Sequence, residues 1–123
     1  MFKTLWLLKR KEGMSKADFI DYYENKHSKL VKYAIGARHY VRRYVTPLYS
    51  APECADEDLG FDVVMELWFD DRAAFEAAMV NLSRPEIAAE IKADEEKLFD
   101  RSRIRAVYVE EHETPLAAGS PAT

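Results

Sequence analysis

The stretch LKRKEGMSKADFIDYYENKHSKLV, Leu8–Val31, joins the end of a strand to a long helix through a short turn. A run of bulky apolar residues over 2–10 is short, which favours a buried strand over a helix. Gly13 is a typical turn residue. Ser15 is expected to be the helix N-cap, with Asp18 at the third position of a capping box. The stretch therefore predicts a strand followed by a helix, which is the first half of a βαβ unit.

The predicted helix runs over 16–35 and ends before Gly36, which suits a left-handed C-terminal cap. Its inward stripe consists of Ile20, Tyr23, His27, Leu30, Val31 and Ala34. Since an imidazole can exchange a proton near neutral pH, His27 on this stripe is a candidate general acid/base. The alternative is a core histidine bonded to a backbone carbonyl or a carboxylate, and the pattern leaves both open.

The remaining chain predicts three more strands and further helices. The strands are expected over 38–46, 61–69 and 104–111, with an exposed proline-rich and acidic loop over 47–60. Helices are expected to start at Asp70 or Asp71, and again at SRPE, where Ser83 is the predicted cap, followed by Pro85 and Glu86. The order is βαββαβ, an α+β ferredoxin-like plait with a four-stranded antiparallel sheet and helices on one face.

The second face of this sheet predicts an association between subunits. In the strand over 61–69, odd-numbered residues form an apolar face, whereas the other face includes Glu66 and Trp68. Helices would cover only one side, so two sheets stacked face to face would form a homodimer. Residues 1–112 are expected to form the domain. The tail over 113–123 has a disorder-like composition, and a partner subunit is one surface that could hold it.

Composition excludes several classes of protein. The 123 residues suit one globular domain, with 48% hydrophobic and 33% charged residues. A net charge of −4 argues against a nucleic-acid partner, although RHYVRR, Arg38–Arg43, is locally basic. Cys54 is the only cysteine, which fits a reducing compartment. We find no zinc-binding spacing, no membrane span and no signal-peptide layout, so a cytoplasmic protein without a metal is expected.

Three segments, in order and spacing, resemble the EthD-like family of the dimeric α/β-barrel superfamily: LKRKEGMSKADFIDYYENKHSKLV, DVVMELWFDDRAAFEAAM and DEEKLFDRSRIRAVYVEE. The resemblance covers about 2–111 and implies a ferredoxin-like monomer paired through its sheets. Some relatives resemble dehydratases or decarboxylases of aromatic polyketides. Others in the superfamily are cofactor-free monooxygenases, lactone isomerases or haem-binding enzymes. The chain departs from the usual pattern with YY where tryptophan is frequent, and with a longer acidic loop after Pro47.

The candidate catalytic residues are His27, Tyr23 and His39. Tyr23 lies one turn before His27 and could orient the imidazole or contact a substrate oxygen, or simply pack in the core. Tyr22, at the edge of the stripe, is expected to pack only. His39 and Arg43 share one strand face. Both approach the pocket if that face meets the helices, and otherwise they lie at a rim or a dimer interface.

The candidate substrate-binding residues are Arg43, Tyr40, Trp68, Phe99, Tyr108 and Asp94. A guanidinium matches planar anions, and the aromatic side chains offer flat apolar walls, which suit an ordinary core equally well. A carboxylate near His27 would fix its tautomer, but a turn-capping role is favoured for both Asp94 and Asp100. Glu66 is expected to pair with Arg42 or Arg105, across the sheet or across the dimer interface.

Three functions follow from these residues and the resemblance. The leading hypothesis is a small homodimeric enzyme without an organic cofactor that binds a small hydrophobic or aromatic oxygenated molecule between sheet and helices. His27 would act as general acid/base in dehydration, elimination, decarboxylation or isomerisation. The second hypothesis is a non-catalytic ligand-binding accessory protein. The third is a cofactor-free or haem-dependent monooxygenase.

Overall fold

The chain folds as the α+β plait expected from its sequence. The computed structural model describes residues 1–117. Its elements are β1 Phe2–Leu8, α1 Lys16–Asn25, a 3-10 helix His27–Tyr33, β2 His39–Tyr44, β3 Val63–Phe69, α2 Arg72–Leu82, α3 Pro85–Glu95, a short 3-10 helix Arg101–Arg103 and β4 Arg105–Tyr108. The strands form one antiparallel sheet in the order β2-β3-β1-β4. The ferredoxin-like topology is confirmed.

The register of the strands sets the face that meets the helices. Trp6 pairs with Met65, and Tyr40 pairs with Leu67, so these four side chains lie on the same side of the sheet. Helices cover this side through two clusters of buried residues. One contains Leu8, Phe19, Tyr23, Val63, Leu98 and Phe99, and the other contains Ala34, Leu67, Phe69 and Ala78.

Capping residues explain where two of the helices begin. Ser15 Oγ accepts a hydrogen bond from the Asp18 amide at 3.1 Å, as the capping pattern predicts. Asp71 caps α2 by accepting from the Ala74 amide at 2.8 Å. The prediction that Ser83 caps α3 is wrong. Arg84 occupies that position without a side-chain bond, and Ser83 Oγ instead donates to the Val80 carbonyl.

The first helix is shorter than predicted. It ends at Asn25, and after Lys26, whose φ and ψ are −128° and −60°, the chain continues as a 3-10 helix. Two contacts accompany the change: Ser28 Oγ donates to the Glu24 carbonyl, and the Lys29 amide bonds back three residues to Lys26. Such hydroxyl-to-carbonyl bonds compete with α-helical bonding. His27 is therefore the first residue of the tighter helix.

The sheet face away from the helices remains uncovered within residues 1–117. Glu66 lies on this face and is 8% exposed. Burial would raise the pKa of its carboxyl, but hydrogen bonds from Arg43 at 2.6 Å and from the Trp68 indole at 2.8 Å outweigh burial and lower it. Within the chain the predicted partner Arg42 is replaced by Arg43, because Arg42 points to the other side of the sheet; Arg105 shares the face of Glu66 but makes no salt bridge with it within residues 1–117.

Outside the regular elements, the chain is mostly exposed. The loop over 47–60 is exposed almost throughout, as expected, and so are residues 113–117. The part of the predicted tail over 118–123 lies outside the described residues. No helix within residues 1–117 has the length and apolar character needed to cross a bilayer.

Candidate active site

A cavity of about 310 Å³ lies between the sheet and the helices. Its walls come from β1, β2, β3, the 3-10 helix after α1, α2 and α3, with Phe99 and Arg101 from the segment beyond α3. Most of the wall is apolar or aromatic: Trp6, Leu8, Leu30, Val31, Ala34, Tyr40, Met65, Leu67, Met79, Leu82, Ala88, Ile91 and Phe99. The polar contributors are His27, Lys92, Glu95 and Arg101.

His27 lies on the wall of this cavity and is 9% exposed. Its ring packs edge-on against Tyr23 and Phe99, with ring centroids 5.0 and 5.1 Å away. Nδ1 lies 2.6 Å from Oδ2 of Asp94 on α3. The aromatic neighbours and the carboxylate together fix the plane of the imidazole.

Asp94 accepts two hydrogen bonds and so determines the tautomer of His27. Its other oxygen accepts from the Tyr22 hydroxyl at 2.5 Å, and this hydrogen bond is the main reason that the pKa of Tyr22 is raised to about 12. Tyr22 therefore stays protonated as a donor. A carboxylate is acceptor-only, so Nδ1 of neutral His27 bears the hydrogen and Nε2 presents a lone pair.

Nε2 of His27 has no hydrogen-bond partner within residues 1–117. In that part of the chain the Tyr23 hydroxyl is the one buried side-chain polar atom that is sealed from solvent and unpaired. Nε2 is therefore not sealed from solvent, and its residue lines the cavity. A histidine with an oriented Nδ1 and a free Nε2 has the arrangement of a base–orienter pair.

Two tyrosines of the predicted set lie beside the imidazole. Tyr23 is fully buried, and burial is the main cause of the increase in its pKa. Tyr40 lines the cavity, and burial raises its pKa also. Both phenols are therefore neutral at physiological pH, and Tyr40 can donate a hydrogen bond to a ligand. Arg42 stacks on the Tyr40 ring at 4.5 Å, which holds that ring in place.

The structure does not bring the whole predicted set together. His39, Arg43 and Trp68 lie on the uncovered sheet face, where His39 contacts Trp68 at a centroid distance of 4.7 Å. Because neighbouring residues of a strand point to opposite faces, these three side chains lie on the other side of the sheet from Tyr40. They do not share the cavity with His27, contrary to the predicted site. Tyr108 faces the helices, but it stacks on Phe2 away from the cavity.

Sequence reasoning missed part of the site. The turn-capping role favoured for Asp94 is wrong, whereas Asp100 does cap the short 3-10 helix by accepting from the Ser102 amide. A signal was present, because Asp94 follows Ile87 and Ile91 at helical spacing on an apolar stripe. Nothing comparable marked Tyr22, whose contact with Asp94 joins positions 72 residues apart. Residues 1–117 contain no cluster of three or more histidine, cysteine, aspartate or glutamate residues suited to a metal ion.

Comparison with known proteins places the fold in a family. The EthD domain profile matches residues 11–102, and no functionally curated protein matches the chain. An EthD-family protein from Bacillus halodurans superposes with a TM-score of 0.59 at 20% identity, over 91% of this chain and 100% of that one. HapK from Hahella chejuensis gives 0.58 at 15% identity, over 97% and 100%.

A third solved structure is a dimeric ferredoxin-like protein of unknown function from Thermobifida fusca, with a TM-score of 0.53 at 16% identity over 88% of each chain. Identities this low show a shared fold. The profile match spans most of the chain and includes His27, Asp94 and Tyr40. The resemblance seen in the sequence is thereby confirmed, and the chain belongs to the EthD domain family.

Proposed function

We propose that this protein binds a small hydrophobic or aromatic oxygenated molecule in the cavity and that His27 moves a proton on it. The observation that supports the proposal is the arrangement of His27, whose Nδ1 is held by Asp94 while Nε2 remains unpaired on an apolar wall. The non-catalytic hypothesis predicts instead that both ring nitrogens are paired within the protein. The cavity volume of about 310 Å³ lies at the lower end of ordinary ligand pockets, which span roughly 300–1,000 Å³.

The proposed step is proton abstraction from a carbon next to a carbonyl group. Nε2 takes the proton, the C–H electron pair becomes an enolate, and Asp94 stabilises the imidazolium that forms. The imidazolium then returns the proton to a departing hydroxyl, which gives dehydration, or to another carbon, which gives isomerisation. Tyr40 is positioned on the wall to donate a hydrogen bond to the carbonyl oxygen.

The test is deuterium exchange on a panel of aromatic ketones in D₂O, followed by NMR. The wild-type protein is expected to exchange the α-hydrogens of at least one member, and His27→Gln should slow that exchange by about 10²–10⁴-fold. Asp94→Asn should slow it by roughly 10–100-fold, because the tautomer is no longer fixed. The exposed His112 provides the matched control, since His112→Gln should leave the rate unchanged.

Two outcomes would contradict the catalytic role. Equal exchange rates for His27→Gln and the wild type would show that the imidazole does not take part. Saturable binding of the panel without exchange by the wild type would instead favour the non-catalytic accessory role. Far-UV circular dichroism of each variant establishes that the fold is retained.

The proposal includes a homodimer joined through the uncovered sheet face. This face carries apolar side chains that no helix or strand of residues 1–117 covers. They are Leu5, Leu7, Val41, Val64 and Val107. A second sheet would bury them. The dimeric ferredoxin-like protein from Thermobifida fusca, which has the same fold, supports this assembly.

A further inference from the structure

The three charged residues that line the cavity, apart from His27, come from one short part of the chain, 92–101. Lys92 and Arg101 are exposed and Glu95 is half-buried, whereas the other lining side chains are at most half-exposed and mainly apolar. Lys92 and Glu95 lie on the last turn of α3, and Arg101 lies on the short 3-10 helix that follows. These three residues therefore form the mouth of the cavity.

Two cations and one carboxylate line the mouth of the cavity. Arg101 Nε lies 3.3 Å from a carboxylate oxygen of Glu95, so these two charges offset each other. Lys92 makes no salt bridge or side-chain hydrogen bond within residues 1–117. The Lys92 ammonium group can therefore contact a ligand. Arg101 contacts Glu95 through Nε, so the two terminal nitrogens of its guanidinium have no carboxylate partner within residues 1–117.

The end of α3 does not cancel this charge. The carbonyl end of a helix is the negative end of its dipole, which would repel an anion if its carbonyls were unpaired. Here the carbonyls of Lys92, Asp94 and Glu95 accept hydrogen bonds from the amides of the following turn. Lys92 is therefore the lining cation within residues 1–117 that has no carboxylate partner, and an anionic ligand would supply one.

From these observations we infer that the ligand is an aromatic carboxylate, with its ring in the apolar cavity and its carboxylate at the mouth beside Lys92. The inference rests on the proposed function, because it names the class of molecule that His27 acts on. It also fixes the orientation of the ligand: the anionic end faces solvent, and the reacting carbon lies inside beside Nε2. An uncharged isostere would lose only the contact at the mouth.

Binding of a matched pair of probes tests the inference. We expect 2-naphthoate to bind more tightly than 2-naphthamide by roughly fivefold, the effect of one partly exposed charge contact, when measured by quenching of tryptophan fluorescence. Lys92→Gln should remove this preference and leave naphthamide binding unchanged. Lys29→Gln, which removes an exposed lysine outside the cavity, should retain it. Raising the salt concentration should weaken only naphthoate binding.

The possible failures are distinguishable. Equal affinity for the two probes, or a preference that survives Lys92→Gln, overturns the carboxylate inference while ligand binding in the cavity stands. Absence of binding for both probes counts against the cavity as a ligand site and so against both proposals. Because His27 lies inside the cavity, His27→Gln should keep the naphthoate preference even where it abolishes deuterium exchange.

Discussion

At the scale of single residues, the Tyr23 hydroxyl is an unusual feature of the core, because it is buried and makes no hydrogen bond of normal geometry within residues 1–117, although the neighbouring Tyr40 phenol affects its pKa. A buried hydroxyl without a hydrogen bond destabilises the folded state. Because Tyr23→Phe removes that hydroxyl, the free energy of unfolding should stay the same or rise by up to about 1 kcal/mol. Urea denaturation measures the change.

Tyr44 provides the matched control for this substitution. Its hydroxyl bonds to the Glu24 carboxylate, so Tyr44→Phe should lower the free energy of unfolding by about 1 kcal/mol. If Tyr23→Phe destabilised the protein as much as Tyr44→Phe does, the Tyr23 hydroxyl would have a bonded partner in solution and the prediction would fail.

Sequence periodicity placed His27 correctly on the inward side of the chain, because alternation of apolar and polar residues reports which side meets the core. It could not supply the partners of His27. Asp94 lies 67 residues away, and only the packing of α3 against the 3-10 helix brings its carboxylate to Nδ1. Sequence alternation correctly placed His39 and Arg43 on the same face of their strand. It could not predict which of the two faces of the sheet the helices cover.

At the scale of elements, α1 is tied to β2 by an ion pair. Arg42 donates two hydrogen bonds to Glu24, at 2.6 and 3.0 Å, and these are the main cause of a lowered Glu24 pKa, against the opposing effect of burial. A carboxyl with a lowered pKa stabilises the fold above its unfolded value of about 4.3, and this stabilisation disappears as the pH falls through the folded value.

Glu24→Gln should therefore lower the free energy of unfolding at pH 6, by no more than about 1 kcal/mol because the carboxylate is about one-third exposed. The difference between the variant and the wild type should shrink towards zero at pH 3. Urea denaturation at the two pH values gives both numbers. A difference that stays constant with pH would mean that the ion pair does not stabilise the fold.

The elements themselves were largely predictable, because each strand and each helix start has a local signal. The exceptions are the cap of α3, the end of the last strand, which spans Arg105–Tyr108 and not 104–111, and the end of α1. The inward stripe continues through Ala34, and nothing in its hydrophobic pattern distinguishes 3.6 residues per turn from 3 over so few residues. Hydrogen bonds such as that from Ser28 to the Glu24 carbonyl, which the pattern does not record, accompany the change in winding.

At the scale of the whole molecule, the uncovered sheet face predicts the oligomeric state. Val64→Asp would place a charge in the centre of the proposed interface, so the variant should elute as a monomer when the wild type elutes as a dimer. Size-exclusion chromatography with light scattering distinguishes the two masses. Val80→Asp, at an exposed position on α2, should remain dimeric. A wild-type monomer at micromolar concentration would contradict the proposal.

The position of Asp94 on α3 links the site to local opening of the chain. No residue of α3 is fully buried, whereas β1 and β3 form the centre of the sheet. Segments with few buried contacts unfold locally, at a lower cost in free energy than unfolding of the whole protein. If His27 acts as proposed, a local opening of α3 would withdraw the Asp94 carboxylate from the imidazole while the sheet stays folded, and activity would depend on the closed fraction of this helix. On the same proposal, a ligand that contacts Lys92 only when α3 is packed in place would increase the population of the closed helix.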